Sequence, residues 1–91
     1  MSLEQLDEVM EYIESTRIRD IVNINGRYFL VSSTFTLDAW YETMVFRCDK
    51  RGINVNYREV YVEHHKDYEQ MKLRHKYIIE NLKELLHGKT I

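Results

Sequence analysis

Three histidines, one cysteine and a pair of carboxylates are the groups in this 91-residue chain whose chemistry can be tested against their spacing. His64, His65, His75 and Cys48 are potential metal ligands. A structural zinc site takes four ligands, usually in spaced Cys or His pairs. Here a lone cysteine and scattered histidines show no such pairing. Adjacent His64 and His65 on a strand would also project to opposite faces. No metal and no cofactor is expected. His75 falls on the apolar stripe of a helical pattern, so it reads as a hydrogen-bonded core histidine. Cys48 as a nucleophile would need a histidine partner and a depressed pKa. It lies in a strand pattern and reads instead as a buried, inert thiol. Asp38 and Glu42 flank Trp40-Tyr41 and read as a turn residue and a strand residue. Glu42 stands among Trp40, Met44 and Phe46; once buried it would need a partner such as an arginine, Tyr57 or a helix histidine. The chain has no glycine-rich phosphate loop, no Gly-x-Ser-x-Gly elbow and no His-Glu-x-x-His. Nothing in it marks an enzyme.

The charges are more informative than the nucleophiles. Residues 1–16 hold Glu4, Asp7, Glu8, Glu11 and Glu14 with no base, whereas the remainder holds thirteen bases and ten acids, and the whole chain has net charge −2. Arg47, Lys50, Arg51 and Arg58 cluster around one turn and are interleaved with Tyr57 and Tyr61. A β-ribbon with basic tips and aromatic side chains is a means of gripping nucleic acid. Seven tyrosines are many for this length, and Tyr, Trp, Met and Arg are the residues that protein interfaces favour. The leading contact candidates are therefore the acidic face (Glu4, Asp7, Glu8, Glu11) with the aromatics Tyr57 and Tyr61. The basic set Arg47, Lys50, Arg51 and Arg58 is the nucleic-acid alternative.

These residues have to be positioned by a small number of elements. Ser2 with Gln5 forms a capping box, and Leu3, Leu6, Val9, Met10 and Ile13 follow at helical spacing, so residues 1–16 are predicted as an acidic amphipathic helix. Asn25-Gly26 between two β-branched runs is a type I′ hairpin signal. A two-residue loop pairs Ile24 with Arg27, Val22 with Phe29 and Ile21 with Leu30. Thr36 to Ala39 is a connection, Trp40 to Cys48 a third strand, and Asp49-Lys50-Arg51-Gly52 a type I turn. Ile53 to Val62 is a fourth strand, with a change of phase near Arg58-Glu59 that a bulge would explain, as would a strand that simply ends there. Asp67 with Gln70 caps a last helix over 67–87, on which Met71, His75, Ile78, Leu82 and Leu85 recur. Gly88 is suited to end it, and Ile91 could close that end. At ~1.5 Å per residue this helix is about 30 Å long, enough to cross a small sheet.

The expected fold is α+β. One domain over 1–91 holds an antiparallel four-stranded meander (17–63) between an N-terminal and a long C-terminal helix, in the order α-β-β-β-β-α. Both sheet faces carry apolar side chains. The C-terminal helix should cover one; the N-terminal helix or a second chain should cover the other. A homodimer is expected on that ground, because chains this short often supplement their core by association. The composition, 44% hydrophobic and 31% charged, is that of a folded globular chain. No apolar run approaches the ~20 residues of a membrane span, and no secretory pattern opens the chain. A single cysteine fits a reducing compartment. Location in the cytoplasm, with no membrane partner, is the expectation.

Trp40-Tyr41-Glu42-Thr43-Met44-Val45-Phe46, preceded by Gly26-Arg27-Tyr28-Phe29-Leu30-Val31-Ser32-Ser33 and followed by Tyr68 and His75, resembles a group of small uncharacterised proteins. They are encoded by phages and prophages of Gram-positive bacteria and share a Tyr-Glu-Thr-Met-Val-Phe strand motif. The resemblance spans about residues 23–82; its specific part is the central hexapeptide. This chain departs from it at the 36–39 linker and at Met71. The resemblance implies a phage accessory protein acting in the host cytoplasm and carries over no catalytic residue. The function expected is non-enzymatic binding of a macromolecule, a host or phage protein first, for example to antagonise a host defence, with nucleic acid as the alternative.

Overall fold

The protein is described here by a computed structural model covering residues 2–88. Ile91, expected to close the last helix, lies outside the described residues. The order is α1 (Leu3–Thr16), β1 (Ile18–Ile24), β2 (Arg27–Thr36), β3 (Trp40–Cys48), β4 (Asn54–His65) and α2 (Tyr68–Leu85). The four strands form one antiparallel sheet in sequence order, so the α-β-β-β-β-α meander is as expected.

Local chemistry sets the boundaries. The Ser2 hydroxyl accepts from the Gln5 amide at 3.1 Å and the Gln5 side chain accepts from the Ser2 amide at 2.8 Å, closing the capping box. Asn25 and Gly26 both take positive φ (53° and 88°), as a type I′ turn demands. The register that follows is Ile24 to Arg27, Val22 to Phe29 and Ile21 to Leu30. The Gly52 amide donates to the Asp49 carbonyl at 2.9 Å, closing the third turn. Asp67 caps α2 by accepting from the Gln70 amide at 2.8 Å. Helix α2 ends two residues sooner than the predicted limit and kinks at Asn81, whose backbone leaves the helical region (φ −121°, ψ 16°).

Strand β4 differs most from expectation. It runs to His65, because its last residues continue the ladder opposite Tyr41, Glu42 and Thr43. Phe46 pairs with Glu59 and Val45 with Tyr61, which leaves Val60 as an extra residue; Cys48 already pairs with Asn54. The irregular stretch between them includes Tyr57 at φ +58°. The expected bulge is thus present and longer than a single residue.

The core lies between α2 and one sheet face. Phe29, Val31 and Val45 from the sheet meet Ile78, Leu82 and Leu86, all fully buried or nearly so. Helix α2 crosses all four strands. The opposite face is not sealed. Ile21 and Val62 are exposed there, and Leu30, Met44 and Phe46 are half-buried. The turn after β3 bends over this face as far as β1: a Cβ placed on Gly52 would stand 2.9 Å from Ile21 Cδ1.

Helix α1 does not cover that face, contrary to the reading in which it might. It joins the sheet where β2 ends and β3 begins. Thr16 is buried there, accepting from the Phe35 amide at 3.2 Å, and Thr34 donates to the Ile13 carbonyl at 3.2 Å. The Tyr12 ring meets Phe35 edge-on, and its hydroxyl hydrogen-bonds that of Tyr41. That contact pushes the Tyr41 phenol up to about 12. The rest of α1 projects outward, drawing the molecule out to 47 × 24 × 17 Å.

Ile78→Ala should lower unfolding free energy by about 2–5 kcal/mol, through lost burial and the void left behind. Leu73→Ala, on the exposed side of the same helix, should change it by less than about 0.5 kcal/mol. Urea titrations of the two variants check this; equal midpoints would contradict the assignment of the α2 faces.

Candidate functional site

Beneath α2, beside the apolar core, runs a chain of polar side chains. Asp20 (β1) stands 2.7 Å from His75 Nε2 (α2), and His75 Nδ1 is 2.6 Å from Ser33 Oγ (β2). Ser33 Oγ is 2.5 Å from Thr43 Oγ1 (β3), which is 2.8 Å from His65 Nε2 (β4). One side chain from each strand and one from the helix are therefore linked in series.

The direction of every donor follows from its end. A carboxylate only accepts, so His75 Nε2 carries the proton directed at Asp20. With His75 neutral, Nδ1 is an acceptor and takes the Ser33 hydroxyl proton. Ser33 then accepts from Thr43, and Thr43 from His65 Nε2–H. All donors point the same way, the arrangement in which hydrogen bonds reinforce one another. The series leaves His65 Nδ1 without a proton, buried and with no hydrogen-bond partner, 3.7 Å from Glu63 Oε1. Burial holds the His65 imidazole below its ordinary range. Glu63 is fixed from the other side by Arg74, whose Nε and Nη2 donate at 2.5 and 2.9 Å, and it also accepts from Tyr61 at 2.6 Å. The Arg74 guanidinium depresses the Glu63 carboxyl and is itself raised by the pairing.

Asp20, His75 and Ser33 are the residue types of an acyl-transfer triad. Their setting does not permit that chemistry in this conformation. Ser33 is 0% exposed and His75 4%, so no carbonyl can reach the hydroxyl. A cavity of about 340 Å³ bounded by Ile24, Arg27, Phe29, Lys83 and Leu86 is at the opposite end of α2. The polar series joins the four strands to α2.

The other sequence-selected residues disperse. Glu4, Asp7, Glu8 and Glu11 are all exposed on α1. Tyr57 is exposed on the bulge, whereas Tyr61 is half-buried against the core. Lys50, Arg51 and Arg58 are exposed near the third turn. Arg51 there forms an ion pair with Asp49 at 2.9 Å, which lowers the Asp49 carboxyl. Arg47 is separated from them: it is half-buried, sits opposite Phe29 on the α2 face, and its Nε has no hydrogen-bond partner. Cys48 is buried and its thiol is pushed up, chiefly by that burial. His64 and His65 point to opposite faces as expected, and buried Glu42 has His64 Nε2 at 3.5 Å. That partner is a strand histidine, not an arginine, Tyr57 or a helix histidine. Among the described residues no group of three or more His, Cys, Asp or Glu could hold a metal, and no helix is long and apolar enough to cross a membrane.

Sequence reasoning placed His75 in the core but missed Asp20, Ser33, Thr43, Glu63 and Arg74. The available signal was parity: Asp20, Ser33 and Thr43 occupy strand positions in phase with Val22, Val31 and Val45. Comparison with protein-family models, with curated proteins and with solved structures finds no match.

Two measurements test the series. Ser33→Ala strips a partner from both His75 and Thr43 and should cost about 1–3 kcal/mol, the penalty for unsatisfied buried polar groups. A neutral effect in urea unfolding would show the bonds to be dispensable. Acidification should act at two ranges. Folded His65 binds a proton less readily than unfolded His65, so its contribution is complete above the ordinary imidazole value near 6.5 and declines as pH falls below it. Glu63 adds a second loss as pH falls below the ordinary carboxyl value near 4.5. His65→Gln should flatten the upper part of the midpoint-against-pH curve and leave the lower part; an unaltered upper part would refute the assignment.

Proposed function

We propose that this is a small non-enzymatic accessory protein that works by binding another protein, with α1 as the contact element. One observation carries this reading: the helix presents an apolar stripe to solvent. Leu3 is 81%, Leu6 40% and Met10 51% exposed, bordered by Glu4, Asp7, Glu8 and Glu11. An amphipathic helix whose apolar side finds no groove in its own chain is suited to one in a partner. Its acids favour a groove with a basic rim. The resemblance to phage and prophage proteins supports a host protein of the bacterial cytoplasm as the target class, with antagonism of a host defence as the role. The sealed serine and the scattered histidines support a non-catalytic mode of action.

A second reading, nucleic-acid binding, draws on exposed Lys50, Arg51, Arg58 and Tyr57. The pairing of Arg51 with Asp49 and the inward placing of Arg47 reduce the charge free to meet phosphate.

Affinity capture from a Gram-positive host lysate, with wild type beside Leu6→Glu/Met10→Glu, tests the first reading. A discrete protein retained by wild type and by Lys50→Glu/Arg51→Glu, but lost with the α1 variant, is expected. Capture indifferent to α1 would refute it. Tight DNA or RNA binding that collapses between 50 and 200 mM salt would establish the second reading instead.

A further inference from the structure

The two ends of this elongated molecule are chemically complementary, and they cannot meet within one chain. Helix α1 projects from the end of the sheet where β2 finishes and contacts the sheet there. It combines exposed Leu3, Leu6 and Met10 with five acids and no base. The third turn and the bulged start of β4 belong to the other end, because β3 runs away from α1 toward Cys48. There, residues 50–58 hold Lys50, Arg51 and Arg58 and no acid. Between these bases, Ile53 is 53%, Val55 63% and Tyr57 78% exposed. Each end thus pairs exposed apolar surface with a net charge, and the net signs are opposite: Asp49, paired with Arg51, and Glu59 flank the basic segment and leave it net positive.

We infer that the protein self-associates as an antiparallel two-fold dimer, in which α1 of each copy docks on the 50–58 segment of the other. A two-fold axis makes the contact twice from one pair of complementary surfaces, and it closes the assembly at two copies. The docking buries apolar side chains from both ends and places the acids of one copy beside the bases of its partner. The same antiparallel alignment brings the open sheet faces, with Ile21, Met44 and Val62, to the middle of the pair. It also gives α1 an occupant before any other partner arrives, so a target protein would have to displace the second copy. This rests on the same helix as the protein-binding reading, but the basic end belongs to this inference alone.

Charge exchange tests it. Glu4→Lys/Glu8→Lys/Glu11→Lys leaves α1 with three bases against Asp7 and Glu14 and so gives a copy with two basic ends, and Lys50→Glu/Arg51→Glu gives a copy with two acidic ends. All five positions are exposed, and circular dichroism checks that each variant folds. In sedimentation and light scattering at 150 mM salt, wild type is expected as a dimer at micromolar concentration. Each variant alone should dissociate at least about tenfold more readily, since both of its contacts now oppose like charges. An equimolar mixture of the two should restore a dimer of mixed composition, because both contacts then regain opposite charges. Wild-type monomer to several hundred micromolar, a dimer unaffected by either variant, or a mixture that remains monomeric would each overturn the inference. So would open-ended assembly beyond two copies. Failure of the wild type to retain any lysate protein, with the dimer intact, would instead count against the protein-binding reading alone.

Discussion

A single helix seals only one side of a sheet, and the side it seals here contains polar groups that must all be satisfied at once. Ser33, Thr43, His65 and His75 are withdrawn from water together. Each hydroxyl has one proton to give, and each neutral imidazole gives from one nitrogen and accepts at the other. With His75 neutral, one consistent direction of donation uses all of them except His65 Nδ1, and Asp20 fixes that direction from the exposed edge. The series spans β1, β2, β3, β4 and α2, so it binds the layers in one register. Sliding α2 by a turn would carry His75 away from both Ser33 and Asp20. Apolar packing alone, between Ile78, Leu82 and the valines of the sheet, would discriminate less sharply against such a slip.

The sheet and its helices were legible because local signals agreed. The capping residues at Ser2 and Asp67, the Asn25-Gly26 turn and the stripe from Met71 to Leu85 are short-range features, and each acts within a few residues of itself. What escaped was long-range. Strand β4 runs past Val62 to His65, and the pairing of His64 and His65 with Glu42 and Tyr41 depends on a bulge several residues away. The polar series escaped for a related reason. A serine, a threonine and an aspartate in separate strands become one object only after the strands are aligned. Glu42 was recognised as needing a partner, but the residue that meets it, His64, is its neighbour across the ladder and could not be chosen without the register.

The candidate contact surfaces divide along the same line. The acidic face of α1 follows directly from helical periodicity. The basic cluster does not survive as a unit, because strand alternation turns Arg47 toward α2 while Lys50, Arg51 and Arg58 remain outside. Tyr57 and Tyr61, similar in sequence, are separated by the bulge into an exposed ring and a half-buried one. Placement of α1 at the sheet's end, held by Thr16, Thr34 and the Tyr12–Tyr41 contact, leaves its apolar stripe available and the second sheet face open. These two facts together direct attention to association.

Trp40, the chain's single tryptophan, sits at φ +59° and is 67% exposed, edge-on to Phe35, which in turn meets Tyr12 of α1. An intrinsic fluorophore is thereby stationed at the root of the projecting helix and away from the packed interior. An indole this exposed should emit as a wet one in the native state, so unfolding of the core should change its colour little. Whatever settles against this end of the molecule dries the ring and moves the emission to shorter wavelength, a built-in optical reporter of docking that needs no label.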